Sequence, residues 1–344
     1  MKIFTLKRLF FLALALGIAQ ASYAQQAFRF SQFFQNAITF NPAVTGSEDF
    51  VDLKIGYRQQ WSGLTDAPQT YFISAHAPLE NKQRTYGFQN NSLRISNPNV
   101  YNELAQSRRP GLQNFSHGIG GYIVNDVQGI FQQTSGFLTY AMGYQFGNTI
   151  VSLGAGGGVV SRELDMDGIV VGNSEVTDEV YQAYLAQQGR ISTFDLNLGL
   201  FIRNERFFAG YSVNRVLQNE IFANVDEISA STEMEHYGML GLRFKVNNNL
   251  LVTPGAFVRY APSEPLIYDL NLRLKYNDML WLGASYRNTQ TVVAMAGITI
   301  SNFITLGYSY DLGLAEVNDF SSGIHEIGLG FMLFNKNDAN PYMW

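Results

Sequence analysis

The sequence predicts an all-β protein: a transmembrane antiparallel β-barrel of about fourteen strands, behind a cleaved signal peptide. Three observations lead there. Apolar and polar residues alternate with period two in one short segment after another, the chain opens on an export signal, and aromatic residues collect at the segment ends.

The export signal is MKIFTLKRLFFLALALGIAQASYAQQ, with Lys2, Lys7 and Arg8 ahead of an apolar run from Leu9 to Ala19. Ser22-Tyr23-Ala24 supplies the small-x-small pattern of signal-peptidase cleavage, so residues 1–24 are read as the signal and Gln25 as the mature start. The apolar run falls short of the about 20 residues that a membrane helix needs. The chain has no cysteine, which excludes disulfides, thiolate metal sites and a lipid anchor at the cleavage point. A net charge of −5 and a pI near 5.4 argue against nucleic-acid binding. Abundant Gly (32), Tyr (19) and Phe (26) suit strands with aromatic ends.

The ribbon YDLNLRLKYNDMLWLGASYR (268–287) shows the pattern most clearly. Tyr268, Leu270, Leu272, Leu274 and Tyr276 alternate with Asp269, Asn271, Arg273 and Lys275, and the chain folds back at Asn277-Asp278. Twelve further segments read the same way: 50–61, 70–79, 117–125, 134–144, 149–160, 193–202, 207–213, 237–246, 250–260, 291–300, 303–311 and 325–334. Most approach the ten or so residues of a tilted membrane strand. Their apolar rows keep full length, while the opposite positions are often Gly, Ser, Thr or Asn. Tyr57, Trp61, Tyr71, Tyr144, Tyr260, Tyr268, Tyr276, Tyr286 and Tyr310 sit where an aromatic girdle belongs. The apolar face therefore meets lipid and the polar face a lumen, because strands satisfy their backbone in hydrocarbon only by closing.

Loop lengths agree. Turns at 203–206, 247–249, 277–278 and 301–302, and the one after Tyr144, share a side with the N-terminus, expected to be periplasmic. The long connections 161–192, 214–236 and 312–324 share the other. Residues 80–116 break the parity and carry Lys82, Arg84, Arg94, Arg108 and Arg109 against Glu80 and Glu103. They hold either a further strand pair or a basic periplasmic insertion. The expected organisation is signal (1–24), N-terminal lead-in or plug (25–49), barrel (50–334) and tail (335–344).

Chemistry is sparse. His76, His117, His236 and His325 lie on separate strands or strand ends without metal-ligand spacing, as lumen or rim residues. LGAGGGVV (153–160) lacks the lysine and spacing of a phosphate loop, and reads as small residues allowing close approach of strands or a plug. Asp165-Met166-Asp167-Gly168 reads as a solvated turn, and 179–189 as a short helix in the same loop. No catalytic, metal or cofactor site is expected.

The stretch 30–79 carries Asn41-Pro42-Ala43, Gly46, Tyr57-Arg58, Gln60-Trp61, Ala67-Pro68 and Ser74-Ala75-His76 with Pro78-Leu79. It resembles the opening of the PorP/SprF family of Bacteroidetes outer-membrane proteins. HGIGGYIVNDVQGIF (117–131) and YSYDLGLAEVNDFSSGIHEIGLGF (308–331) are similar to later landmarks of the family, and 80–116 departs from it. The resemblance implies an outer-membrane location, a place in type IX secretion or gliding, and no enzymatic activity. It further implies protein partners, either a large surface-adhesin cargo or periplasmic ring components.

The candidate partner-binding residues are Phe33, Phe34, Phe40, Asn41, Pro42, Arg58, Trp61, His76, Arg108 and Arg109. The first five belong to FRFSQFFQNAITFNPAVTG (28–46), an aromatic segment expected at the periplasmic mouth, packed inside the barrel or on a partner, or serving as a plug or lead-in turn. Arg58, Trp61 and His76 are expected to cluster at the outer rim. Asp195, Arg243, Lys245, Asp269, Arg273 and Lys275 either pair across the lumen or line a pore. The alternative function is a passive channel for small solutes.

Overall fold

The computed structural model describes residues 30–63, 66–79, 114–165, 189–217, 219–220, 233–301, 303–314 and 323–335. The expected signal peptide (1–24), nearly all of 80–116 with Arg108 and Arg109, Asp167, and all but the first residue of the expected tail lie outside them, as does the helix expected at 179–189 save for Gly189.

Among the described residues, fourteen antiparallel strands run in sequence order. They are β1 (Val51–Gln59), β2 (Gln69–Pro78), β3 (Phe115–Gln128), β4 (Phe131–Phe146), β5 (Thr149–Leu164), β6 (Arg190–Arg203) and β7 (Phe207–Asn214). β8 (Glu235–Leu242), β9 (Leu250–Tyr260), β10 (Ile267–Tyr276), β11 (Leu280–Arg287), β12 (Thr291–Ile300), β13 (Ile304–Gly313) and β14 (Ile324–Leu333) complete the ring. A two-residue pair, Phe244–Lys245, extends β8 along β9, and Asn219–Glu220 adds to β6. β14 returns to β1 with Val51 opposite Leu333 and Gln59 opposite His325, so the fourteen strands close into a ring. Closure is what lets strands lie in hydrocarbon.

The alternation sets the faces as expected. From Tyr268 to Tyr276 every side chain of β10 follows it: Asp269, Asn271, Arg273 and Lys275 are buried inward, and Tyr268, Leu270, Leu272, Leu274 and Tyr276 are exposed outward. Exposed Leu138, Leu153, Ile119, Ile123 and Leu282 continue the apolar band around the wall. The β10–β11 turn has φ +51° at Asn277 and +57° at Asp278, the left-handed pair that two-residue hairpins require. β3, β4 and β5 outrun their expected spans. The added stretches mix Asp126, Gln128, Gln132, Gln133, Arg162 and Glu163 with Phe115, Val127, Phe131, Phe146 and Leu164, and adjacent polar residues on both faces blur the alternation there.

We call the end at which β1 begins the proximal mouth and the other the distal mouth. The lumen is not a water-lined tube. Phe72, Phe137, Phe201, Phe208, Phe257, Trp281, Met239 and Met295 point inward and join one apolar cluster with Phe30, Phe33, Phe34 and Phe40 of the segment that precedes β1.

Candidate functional site

Phe30 to Glu48 is buried residue for residue inside the barrel. Its shape follows from Asn41-Pro42-Ala43. Two single-turn 3-10 helices, Ala37–Thr39 and Pro42–Val44, are separated by Phe40-Asn41. Asn41 Oδ1 accepts the Ala43 amide at 2.9 Å, capping the second turn, and Pro42 starts it with the φ a helix wants.

The same Asn41 ties the segment to the wall. Its Nδ2 donates to the carbonyls of Leu200 (3.0 Å) and Tyr211 (3.4 Å), register partners on β6 and β7. Gly199 opens the wall for it: a Cβ there would lie 2.0 Å from Asn41 Oδ1. Ser212 Oγ donates to the Phe40 carbonyl at 2.7 Å, and Thr45 Oγ1 to Thr139 Oγ1 at 2.8 Å. The glycine run of β5 allows close approach of both wall and plug: Gly158 meets Phe137 and the Gly136 carbonyl of β4, and Gly154 meets the plug. A Cβ on Gly154 would sit 2.3 Å from Ala43 N and 2.4 Å from the Pro42 carbonyl carbon.

Aromatic contacts supply the bulk of the packing. Phe33 stacks on Phe257 with centroids 4.7 Å apart, Phe30 meets Phe72 edge-on at 4.5 Å, and Phe34 meets Trp281 at 5.5 Å. Arg273 lies over the Phe34 ring at 3.9 Å. Burying four phenylalanines at about 1.5–3 kcal/mol each makes this a strong association before any polar contact is counted.

The far end of the segment is held by charge. Arg58 Nη1 donates to Glu326 Oε2 (3.0 Å) and Ser31 Oγ (2.9 Å), and Nη2 to Asp311 Oδ2 (3.0 Å). Glu326 accepts the amides of Ser31 (2.8 Å) and Gln32 (3.0 Å), while Ser31 Oγ donates to Asp311 at 2.5 Å. Arg287 bridges Asp311 (3.6 Å) to Asp269 (2.8 Å). A buried ionic cluster persists only when its members satisfy one another, and the plug supplies three of these hydrogen-bond donors.

Several expected positions change. Of the segment 28–46, residues 30–46 lie deeper than the proximal mouth, since Ser31 reaches the distal half with Arg58 and Glu326. Arg58, Trp61 and His76 do not form one rim cluster. Arg58 is in register with Thr70 and Asp52 with His76, six positions apart on β1, or about 20 Å at about 3.3 Å per residue. His76 is buried at the proximal end, 3.5 Å from Asp52 and accepting from the Gly46 amide at 3.3 Å. Trp61 is exposed just past β1, with φ +49°. Phe33, Phe34, Phe40, Asn41 and Pro42 are all inside. Of the six lumen charges, Asp269 pairs with Arg287 and Lys275 with Asp278 (3.8 Å), while Arg243 and Lys245 sit less buried near the proximal end.

His117, His236 and His325 face outward rather than into the lumen. Each shares a hydrogen bond with a tyrosine on the next strand: Tyr140 (2.7 Å), Tyr211 (2.8 Å) and Tyr308 (2.7 Å). All lie near strand ends, where amphipathic rings meet the membrane interface. The inward aromatics were the larger omission. Their signal is an apolar triplet that breaks alternation, as in Tyr71-Phe72-Ile73, Leu200-Phe201-Ile202 and Leu280-Trp281-Leu282.

Residues 22–331 match the family model described as type IX secretion system membrane protein PorP/SprF. No curated protein matches the chain. Among solved structures it is similar to the Ralstonia pickettii toluene transporter TbuX (9% identity, 86% of this chain and 91% of that one, TM-score 0.45). It is also similar to the Acinetobacter baumannii outer membrane protein Omp33 (9%, 84% and 100%, TM-score 0.45) and the Pseudomonas putida toluene transporter TodX (11%, 88% and 92%, TM-score 0.41). With a family match over nearly its whole length and a closed lipid-facing ring of strands, the chain belongs to the PorP/SprF family of type IX secretion membrane proteins and is a barrel of the outer membrane.

Proposed function

We propose that this barrel serves the secretion machinery as a plugged scaffold that binds protein partners, and not as a conduit for solutes. The observation that carries the reading is the occupied lumen: Phe30 to Glu48 is buried there and tied to strands on opposite sides of the ring. A solute channel needs a continuous polar path, whereas here aromatic rings of plug and wall interlock.

Loop lengths support an orientation. Proximal turns such as 147–148 and 204–206 are short, and distal connections 165–189 and 215–234 are long, which favours a periplasmic proximal mouth and an outward distal one. Adhesin cargo would then meet the distal loops, and ring components the proximal mouth with the basic 80–116 segment and its Arg108 and Arg109. Trp61, exposed at the distal turn, is a contact for the former. Phe33, Phe34, Phe40, Asn41, Pro42, Arg58 and His76 act indirectly, by holding the plug on which the shape of both mouths depends.

Two measurements test this together: conductance of the purified barrel in planar bilayers, and affinity capture from native membranes. The intact chain should pass no steady large current, deletion of 30–46 should open one, and capture should return secretion components or a large adhesin. A steady large conductance from the intact chain, with no partner retained, would establish the passive channel instead.

A further inference from the structure

In the distal half, above Thr39 and Phe40 of the plug, the ends of β3 to β8 enclose a cavity of about 80 Å³. That is several times the about 10–15 Å³ needed for one water. It suits the end of a side chain better than a whole metabolite.

The polar lining has a direction. Asn197 is used: Nδ2 donates to Tyr122 OH (3.1 Å) and Oδ1 accepts the Arg215 amide (3.1 Å). Glu235 is used too, by Arg259 (2.5 Å), Arg215 (3.3 Å) and Tyr237 OH (2.6 Å). Asp195 is different. It is 1% exposed, and among the described residues no donor reaches its Oδ1, although Arg162 and Arg215 act on it electrostatically. Asn214, 7% exposed, likewise has an Oδ1 that no donor reaches among the described residues. Both open atoms are acceptors, and a buried acceptor without a donor costs about 1–3 kcal/mol. Among the described lining residues, Asp126, Asp195 and Glu235 stand with one cation, Arg215, while Arg259 pairs with Glu235 from behind the wall. Aromatic rings line the rest, with Tyr122 stacked on Phe137 at 5.1 Å and 18°, and Tyr237 close to Phe40 at 5.4 Å. Open acceptors, one of them a buried carboxylate oxygen, and aromatic rings together select an N–H-bearing cation.

We propose that this cavity receives one lysine or arginine side chain, presented at the distal mouth by a protein partner. The proposal rests on the partner-binding reading above and adds the chemistry of the contact. An uncharged polar side chain would satisfy the acceptors but gain nothing from the charge or the rings.

The test uses the full-length barrel in detergent micelles with n-butylammonium, the lysine side-chain analogue, and n-butanol as its neutral counterpart, at fixed ionic strength. Saturation-transfer NMR should show butylammonium binding, with butanol weaker by about tenfold or more, the worth of a charge-assisted bond. Asp195→Asn should abolish the preference while keeping the unfolding midpoint. If that variant does not fold, Asn214→Asp should strengthen butylammonium binding. Equal binding of the two probes, or an Asp195→Asn barrel that still prefers butylammonium, overturns the proposal. Capture experiments separate the two claims. A partner held equally by wild type and Asp195→Asn overturns the cation contact and leaves partner binding standing. A partner lost only from Asp195→Asn supports both.

Discussion

Replacing Arg58 with methionine removes the centre of the network that holds the start of the plug. Three hydrogen bonds go, to Glu326, Asp311 and Ser31 Oγ, at 2.9–3.0 Å. Asp311 and Glu326 stay buried, at 0% and 2% exposure, and among the described residues Asp311 keeps one cationic partner, Arg287 at 3.6 Å. Stranding buried charge in this way costs about 3–5 kcal/mol, a large fraction of the stability of most domains. The triple variant Arg58→Met with Asp311→Asn and Glu326→Gln removes the charges together and should recover most of the loss, since neutral replacements of a buried ionic cluster are often tolerated. Urea unfolding in micelles, followed by emission from the three tryptophans, measures both variants. Limited proteolysis should in parallel show earlier cleavage within 30–36 for Arg58→Met alone. A loss below about 1 kcal/mol for the single variant, or no recovery in the triple, would refute the reading of this cluster as the plug's distal anchor.

Two further outcomes follow from the same geometry. Leu138 is 77% exposed on β4, and in a water-soluble protein its replacement by arginine would change stability little. Here it faces lipid, so Leu138→Arg should cost about 2–4 kcal/mol in bilayer unfolding measurements; a change near zero would put that face in water. Gly154→Val pushes a side chain onto the Ala43 amide from 2.3 Å, where only backbone can yield. Overpacking of about 1–3 kcal/mol should loosen the plug and appear as flickering current in planar bilayers, whereas a silent, fully stable variant would mean that the plug does not touch β5 there.

The wall of this barrel was legible in the sequence because lipid imposes one rule on every strand. The outward phase of Val51-Leu53-Ile55-Tyr57, of Leu270-Leu272-Leu274 and of Ile304-Leu306-Tyr308 can be read two residues at a time. The inside obeys no such rule. Parity puts Phe72, Phe201 and Trp281 on the wet face, and only the apolar residues on both sides of each hint that something apolar waits inside. Asn41-Pro42-Ala43 was visible as a motif, yet its meaning depends on Gly199 and Gly154, more than a hundred residues away. The ion cluster was hidden for the same reason. Arg58, Asp311 and Glu326 come together only once β14 closes on β1, and no local pattern announces which inward charges will face each other. For His117, His236 and His325 the rim alternative holds and the lumen one does not: histidine fits either face near a rim, and the tyrosine on the adjacent strand decides.

The most direct measurement concerns Thr45 on the plug and Thr139 on β4, whose hydroxyls stand 2.8 Å apart in a chain that contains no cysteine. With both replaced (Thr45→Cys, Thr139→Cys), mild oxidation of native outer membranes should join them almost completely, seen as a shift on non-reducing gels after urea denaturation. If the pair stays reduced while a control pair at Leu53 and Phe331, register neighbours on β1 and β14, does form, the N-terminal segment does not occupy the barrel.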